Sequence, residues 1–171
     1  MKNIYSSILR KLTAFLVFFL ASAGLLAQTN FSGTWAFNES KSNFGDMQFR
    51  IYASTMVIIQ EGNNLSVEST YTGPDGTERK VTNKYTLDGQ VSENQGFGNT
   101  VTKSTITWSD DKNSLTIATT MTFERDGQSM EFKPSATWKL TDGGKGLLLE
   151  NSFPAPDGSG DMKYTVAYDK K

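Results

Sequence analysis

The segment LTIATTMTFE, residues 115–124, alternates apolar and hydrophilic side chains over most of its length, and this pattern decides the fold class. Leu115, Ile117 and Met121 fall on one side of the segment, and most of the threonines fall on the other. Successive side chains of a β-strand point to opposite faces, so a period of two predicts a strand with one buried face and one wet face. After residue 27, threonine outnumbers leucine 19 to 7, which also favours strands over helices.

Eight long segments of this kind are separated by turn sequences such as Gly73-Pro74-Asp75-Gly76 and Asp88-Gly89, typical of a meander of hairpins. The eight span residues 50–60, 65–72, 77–87, 100–109, 115–124, 129–140, 146–153 and 162–169, and a short strand at 34–37 precedes them. The pattern predicts a single antiparallel up-and-down β-barrel of about eight strands, closed by pairing the last with the first. A β-sandwich of two sheets is the alternative, because alternation alone does not separate the two architectures. Pro134 lacks an amide hydrogen, so we expect a bulge there that splits its strand.

The N-terminal residues 1–27 have the organisation of a cleavable signal peptide: a basic start, an apolar stretch over 12–26 and small residues before the polar chain. The apolar stretch is about 15 residues long, shorter than the ~20 that a membrane-spanning helix needs. Cleavage after Ala27 is favoured, cleavage after Ala23 and an uncleaved anchor being the alternatives. We therefore expect one soluble barrel domain, residues 28–171, that is secreted or periplasmic.

Composition excludes several classes of function. The chain has no histidine and no cysteine, so it has no imidazole base, no thiolate and no His or Cys metal site. From residue 28 onward it carries 14 basic and 18 acidic side chains, and this acidic balance argues against nucleic acid as a partner. The outward strand residues are hydrophilic, unlike those of a membrane-embedded barrel. We expect neither an enzyme nor a cofactor, because no acid/base constellation is recognisable.

A family resemblance begins at Gly33-Thr34-Trp35-Ala36-Phe37-Asn38-Glu39-Ser40-Lys41-Ser42. This run resembles the Gly-x-Trp start of bacterial secreted lipocalin-like proteins, members of the calycin superfamily. The resemblance implies an antiparallel barrel in which Gly33 and Trp35 are structural, with the tryptophan packed across the closed end. Two departures are visible: the family places an arginine late in the chain against that tryptophan, and none follows Arg125 here. The family's helix after the eighth strand also has no counterpart.

The inward-facing side chains decide whether the barrel is packed or hollow. Extending the alternation along the strands places both apolar and polar residues inside, including Ser104 and Thr119. A dry core tolerates such polar groups poorly, whereas a cavity with apolar walls and a few polar anchors suits them. The predicted ligand-binding residues are Arg79, Asn83, Tyr71, Tyr85, Trp108, Met121, Phe123 and Trp138. Because the inward set contains no carboxylate, we expect the Arg79 guanidinium to reach water, a loop acid or an anionic ligand.

Two functions from different classes follow from these features. The first is an exported carrier of a small apolar or amphipathic molecule held in the barrel interior. The second is an interaction or structural module of the cell envelope, with a packed barrel and functional surface loops at Asn38–Gln48 and Asp88–Asn99. An interior void of at least ~300 Å³ would favour the carrier, and a filled interior would favour the module.

Overall fold

The computed structural model describes residues 27–45, 47, 50–96, 100–125, 128–155 and 158–171, so the predicted signal peptide, apart from Ala27, lies outside the described residues. These ranges contain eleven strands. They are β1 (Gly33–Asn43), β2 (Thr55–Glu61), β3 (Asn64–Thr72), β4 (Glu78–Thr86), β5 (Ser92–Gln95), β6 (Val101–Trp108), β7 (Ser114–Arg125), β8 (Gln128–Phe132), β9 (Ser135–Thr141), β10 (Gly146–Pro154) and β11 (Asp161–Lys170). A 3-10 turn, Asp142–Gly144, joins β9 to β10. Within the described ranges, no helix has the length and apolar character to cross a membrane.

All the strands belong to one antiparallel sheet, in the order β4-β3-β2-β1-β11-β10-β9-β7-β6-β5, with β8 paired to β7 beside this path. A single sheet that turns back on itself confirms the all-β barrel and excludes the two-sheet sandwich. The barrel has ten strands on its path, so the predicted number of eight is wrong. It is nearly closed, with one seam between β4 and β5.

The prediction omits β5 and makes β1 too short, and both differences have the same physical cause. The predicted short strand at 34–37 is the 11-residue β1, which continues through residues assigned to the loop Asn38–Gln48. Strand β5 lies within the predicted loop Asp88–Asn99, of which residues 97–99 fall outside the described part. Asn38–Asn43 and Ser92–Gln95 contain only polar residues, so alternation of apolar and polar side chains could not reveal them.

The predicted interruption at Pro134 is confirmed. Strand β7 pairs with β9 through Ala118 and Ser135, and farther along with β8 through Met121 and Phe132. At the break, the Thr119 amide donates a hydrogen bond to the Pro134 carbonyl at 2.9 Å. Proline cannot donate to a ladder, so the partner of β7 is divided into two short strands.

The barrel closes at a different place from the predicted one. Strand β1 lies between β2 and β11, with Trp35 opposite Met56 on one side and opposite Lys170 on the other. The predicted direct pairing of residues 50–60 with 162–169 is therefore wrong. The last strand does pair with the first, but the first strand is β1.

The seam lies between β4 and β5, where no backbone ladder is present in the described residues and side chains bridge instead. The Asn94 side-chain amide donates to the Lys84 carbonyl at 2.9 Å and accepts from the Lys84 amide at 2.7 Å. The Ser92 hydroxyl oxygen accepts from the Thr86 amide at 2.9 Å. These bonds satisfy backbone groups that would otherwise lie at an open sheet edge.

One end of the barrel is closed by an aromatic cluster, which we call the closed-end cluster: Phe31, Trp35, Trp108 and Trp138. Phe31 and Trp35 are fully buried, and the Trp35 indole donates to the Phe31 carbonyl at 3.0 Å. The Phe31 ring lies 6.1 Å from the rings of both Trp108 and Trp138. The chain before β1 crosses this end, where Thr29 bonds both Gln60 and Lys112.

A lysine occupies the place of the arginine that the lipocalin resemblance implies. The Lys170 ammonium lies 5.2 Å from the centre of the Trp35 ring, within the range of a cation–π contact. Gly33 has a φ of +150°, and a Cβ there would stand 2.7 Å from Cε of Lys170. The positive φ, which residues with a Cβ rarely adopt, explains why a glycine precedes the tryptophan by two residues.

Candidate functional site

The barrel interior contains a cavity of about 300 Å³, which we call the inner cavity. Every strand of the barrel path except β1, β5 and β6 contributes to its wall. Apolar side chains such as Met56, Val67 and Leu149 line it beside polar ones such as Ser69 and Asn151. Trp138 forms part of the same wall and also contacts Phe31, so the closed-end cluster supplies one boundary of the cavity.

A second cavity of about 460 Å³, the outer cavity, adjoins the first on the side of the seam. Both are lined by Ile51, Tyr71, Asn83, Tyr85, Thr119 and Met121, which shows that they are contiguous. Arg79, Val81 and Gln95 line the outer cavity alone. Arg79 is exposed and is the only charged side chain among the described residues that line either cavity.

Most of the predicted ligand-binding residues lie at these cavities. Asn83, Tyr71, Tyr85 and Met121 line both, whereas Trp138 lines the inner one and Arg79 the outer one. The polar residues Ser104 and Thr119, which the alternation also places inside, share a hydrogen bond of 2.9 Å between their hydroxyls. This pairing removes the cost of burying two unpartnered hydroxyls.

Two of the predicted residues lie elsewhere. Phe123 is 38% exposed and lines neither cavity, because β7 at that position pairs only with β8, past the interruption at Pro134. Trp108 also lines neither cavity, since it belongs to the closed-end cluster, where its buried indole nitrogen has no hydrogen-bond partner among the described residues. Alternation predicts the face of a strand on which a residue lies but not its position along the barrel axis. That position places both Phe123 and Trp108 away from the cavities.

Tyrosine is concentrated at the inner cavity. All five tyrosines of the described chain line it: Tyr52, Tyr71, Tyr85, Tyr164 and Tyr168. Burial raises the pKa of Tyr85 to about 12, against the opposing effect of a hydrogen bond from Asn83. Burial also raises the pKa of Tyr164 and of Tyr168 above the ordinary value. The phenols of Tyr85, Tyr164 and Tyr168 are therefore neutral hydrogen-bonding groups at physiological pH.

Three of those tyrosines are absent from the predicted site. Tyr164 and Tyr168 lie in a segment whose alternation was recognised, and their shared parity with Val166 was an available signal. Tyr52 lies in the connection between β1 and β2, which has no periodicity. It reaches the cavity because its ring stacks on Phe37 at 3.9 Å, a contact that only the folded chain creates.

The connection between β1 and β2 lies at the end opposite the closed-end cluster. Phe44 is buried, with its ring 5.9 Å from Tyr164 and with the Arg50 guanidinium 5.3 Å from its centre. Ile51 lines both cavities yet is 66% exposed. The described residues therefore cover this end only in part and leave both cavities open to solvent beside Ile51.

The described residues contain no group of three or more acidic side chains placed to hold a metal ion. The hydroxyls, amides and aromatic rings of the cavity walls can donate and accept hydrogen bonds and cover apolar surface. Such walls equip the site for non-covalent binding of a small molecule.

Taken together, the described strands form a ten-strand antiparallel barrel with one seam and a hollow interior, rather than the eight-strand barrel that the lipocalin resemblance implies. The chain is similar in fold to the ileal bile-acid-binding protein of zebrafish, solved as a complex with cholic acid. The TM-score is 0.52 and the identity 18%, over 82% of this chain and 98% of that chain. No family model matches the sequence, and no curated protein matches it either.

Proposed function

We propose that this protein binds a small apolar or amphipathic molecule reversibly inside its barrel and acts as a carrier rather than an enzyme. The observation that carries the proposal is the inner cavity of about 300 Å³, whose wall combines apolar and aromatic side chains with neutral hydroxyl and amide groups. Such a cavity leaves much apolar surface uncovered, and a ligand that fills it gains the free energy of burying that surface.

The alternative function, an envelope module with a solidly packed barrel, is less well supported. A packed interior would leave no room of this size, and neither surface loop assigned to that function is wholly a loop. The fold similarity supports the carrier as well, since the zebrafish protein is a binding protein whose ligand, cholic acid, is amphipathic.

We propose further that the six cavity-lining residues predicted from the sequence contact the ligand: Arg79, Asn83, Tyr71, Tyr85, Met121 and Trp138. The site would work outside the cytoplasm, because residues 1–27 have the pattern of a signal peptide. Intact-mass measurement of the exported protein should then give a chain that begins at Gln28 or at its cyclised form, and recovery of the full precursor outside the cytoplasm would contradict export by cleavage.

The binding proposal is tested by filling the cavity. Ala136 lines the inner cavity, and Ala118, on the adjacent strand β7, is exposed on the outer face. Titration with the apolar fluorophore N-phenylnaphthylamine should give saturable binding by the wild type and by Ala118→Phe. Binding by Ala136→Phe should fall about tenfold or more, because the new ring occupies the space of the ligand.

Thermal unfolding of both variants separates this result from misfolding. In a hollow barrel Ala136→Phe should unfold near the wild-type temperature, whereas in a packed barrel overpacking would cost ~1–3 kcal/mol. Absence of saturable binding by the wild type would contradict the carrier, and a destabilised Ala136→Phe would favour the packed module.

A further inference from the structure

The five tyrosines that line the inner cavity stand close together, although they come from β3, β4, β11 and the connection between β1 and β2. The rings of Tyr52 and Tyr164 lie 5.7 and 5.9 Å from the ring of Phe44. Tyr52 also stacks on Phe37, whose ring lies 6.2 Å from that of Tyr168. We call the five tyrosines the tyrosine cluster.

Tyr71 links the rest of the cluster. Burial is the main cause of the three raised pKa values in the cluster, those of Tyr85, Tyr164 and Tyr168. Electrostatic interaction with the Tyr71 phenol is a further cause in all three. Such an interaction weakens with distance, so the Tyr71 hydroxyl lies near the other three. The hydroxyls of the cluster therefore face one part of the cavity.

Two of these hydroxyls are available to a ligand. Within the described residues, the hydroxyls of Tyr71 and Tyr164 have no hydrogen-bond partner. Neither is sealed off, because in that part of the chain the Trp108 indole nitrogen is the only side-chain polar atom that is both fully buried and unpartnered. Both hydroxyls thus border the open space of the cavity.

The other buried phenols already accept hydrogen bonds and can still donate them. The Asn83 side-chain amide donates to Tyr85, and the Ala53 backbone amide donates to Tyr168. A phenol whose oxygen accepts in this way keeps its own hydrogen for a second partner. The tyrosine cluster therefore presents hydrogen-bond donors to the cavity.

The wall around the cluster offers no counter-charge to an anion, since none of the described residues that line the inner cavity is charged. A carboxylate would lose its hydration there without gaining a cation, which is expensive. An uncharged carbonyl oxygen accepts the same hydrogen bonds at a much smaller cost of desolvation. A volume of about 300 Å³ is at the lower end of the range for small-molecule pockets, so a compact molecule fits it best.

Resting on the proposed carrier function, we propose that the tyrosine cluster binds a compact, uncharged ring compound through a carbonyl oxygen that accepts hydrogen bonds from Tyr71 and Tyr164. Apolar side chains of the same cavity, such as Met56 and Leu149, cover the ring system. The cluster thereby selects ketones and quinones over carboxylic acids of the same shape.

Three compounds on one ring skeleton test this selection: fluorenone, fluorene, which lacks the oxygen, and a fluorenone carboxylic acid. Each is used to displace N-phenylnaphthylamine from the wild type, Tyr71→Phe, Tyr164→Phe and Thr72→Val. Phenylalanine keeps the ring and removes only the hydroxyl. Thr72→Val is the matched control, because it removes one hydroxyl from the exposed neighbour of Tyr71, which lines neither cavity and bonds Ser54 at 3.2 Å.

The wild type should bind fluorenone about fivefold or more tighter than fluorene, and the acid about tenfold or more weaker than fluorenone. Each tyrosine variant should lose about 2- to 12-fold in affinity for fluorenone, the equivalent of one neutral hydrogen bond, and keep its affinity for fluorene. Thr72→Val should change none of these affinities. The infrared carbonyl stretch of bound fluorenone should lie at lower frequency in the wild type than in Tyr71→Phe, because a hydrogen bond weakens the C=O bond.

A wild type that binds the acid as tightly as fluorenone would overturn the selection against charge. Tyrosine variants that keep the wild-type affinity for fluorenone, or that lose fluorenone and fluorene equally, would overturn the role of the cluster. A wild type that binds N-phenylnaphthylamine but not fluorenone would overturn the ligand class and leave the carrier function standing.

Discussion

Both ends of this barrel are rich in aromatic side chains, but the two ends arrange them differently. At the closed end, Trp35 and Phe31 are fully buried, and the Trp35 indole donates a hydrogen bond to the Phe31 carbonyl. The chain before β1 covers them. At the open end, aromatic side chains such as Tyr71 and Tyr164 surround a space instead of filling it. Aromatic side chains pack against one another at both ends, and at the open end their phenols also line a cavity.

The closed-end cluster also lacks the phenol groups that line the inner cavity. It has one cation beside it, Lys170, and its indole groups are not ionisable. The inner cavity is lined by five phenols, and burial raises the pKa of three of them, Tyr85, Tyr164 and Tyr168. The barrel is therefore packed at one end and lined by a cavity toward the other, and three experiments test this contrast.

The largest expected effect comes from removing the closed-end tryptophan. Trp35→Ala should lower the free energy of unfolding by ~3–5 kcal/mol, because it leaves a large cavity in a packed cluster and an unpartnered Phe31 carbonyl. Chemical denaturation of the variant and wild type measures this. The control is Phe123→Ala at the rim, which should cost ~1 kcal/mol or less because the ring is already partly exposed. Similar midpoints for the two variants would contradict the contrast between the ends.

The next effect concerns alkaline pH and belongs to the tyrosine-lined cavity. The pKa of Tyr85 rises from 10.0 to about 12 on folding because burial disfavours the phenolate. The folded state therefore prefers the neutral phenol. This contribution is fully present below about pH 10 and is lost as the pH rises from 10 to 12. A rise of about two units corresponds to roughly 3 kcal/mol.

For the wild type, the denaturant midpoint should be much lower at about pH 11 than at about pH 8. Tyr85→Phe has no phenol to ionise at that position, so its midpoint should fall less over the same interval. Near-ultraviolet absorption of tyrosinate gives an independent reading of the titration in the folded protein. An equal decrease in midpoint for the wild type and Tyr85→Phe would contradict a buried neutral Tyr85.

The smallest expected effect concerns the seam. It tests whether the side-chain hydrogen bonds between β5 and β4 hold the two strands together there. Asn94→Ala removes two hydrogen bonds that join β5 to the backbone of Lys84, and it should cost ~1–2 kcal/mol. Glu93→Ala is the control, because the exposed ion pair of Glu93 with Lys103 should contribute less than ~1 kcal/mol. Hydrogen exchange of the Lys84 amide should accelerate in Asn94→Ala alone, and unchanged exchange would show that the side chain does not hold the seam.

The sequence could predict part of this fold and part of its site. Strong alternation predicted the long strands such as β3, β7 and β11, and the proline at 134 predicted the break between β8 and β9. The polar strand β5 and the second half of β1 were missed because a ladder can form from backbone hydrogen bonds without apolar side chains. For the same reason, the number of strands and the position of the seam could not be read from periodicity.

Alternation along the chain is enough to predict the face on which a side chain lies, because the pleat of a strand allows only two. That rule placed Tyr71, Asn83 and Tyr85 inside a barrel. How far along the barrel each residue stands depends on the folded arrangement of the strands, which separates Trp108 at the closed end from Tyr85 at the cavity. Height depends on register and on which strands are neighbours, and those follow from long-range hydrogen bonds that leave no local pattern in the chain.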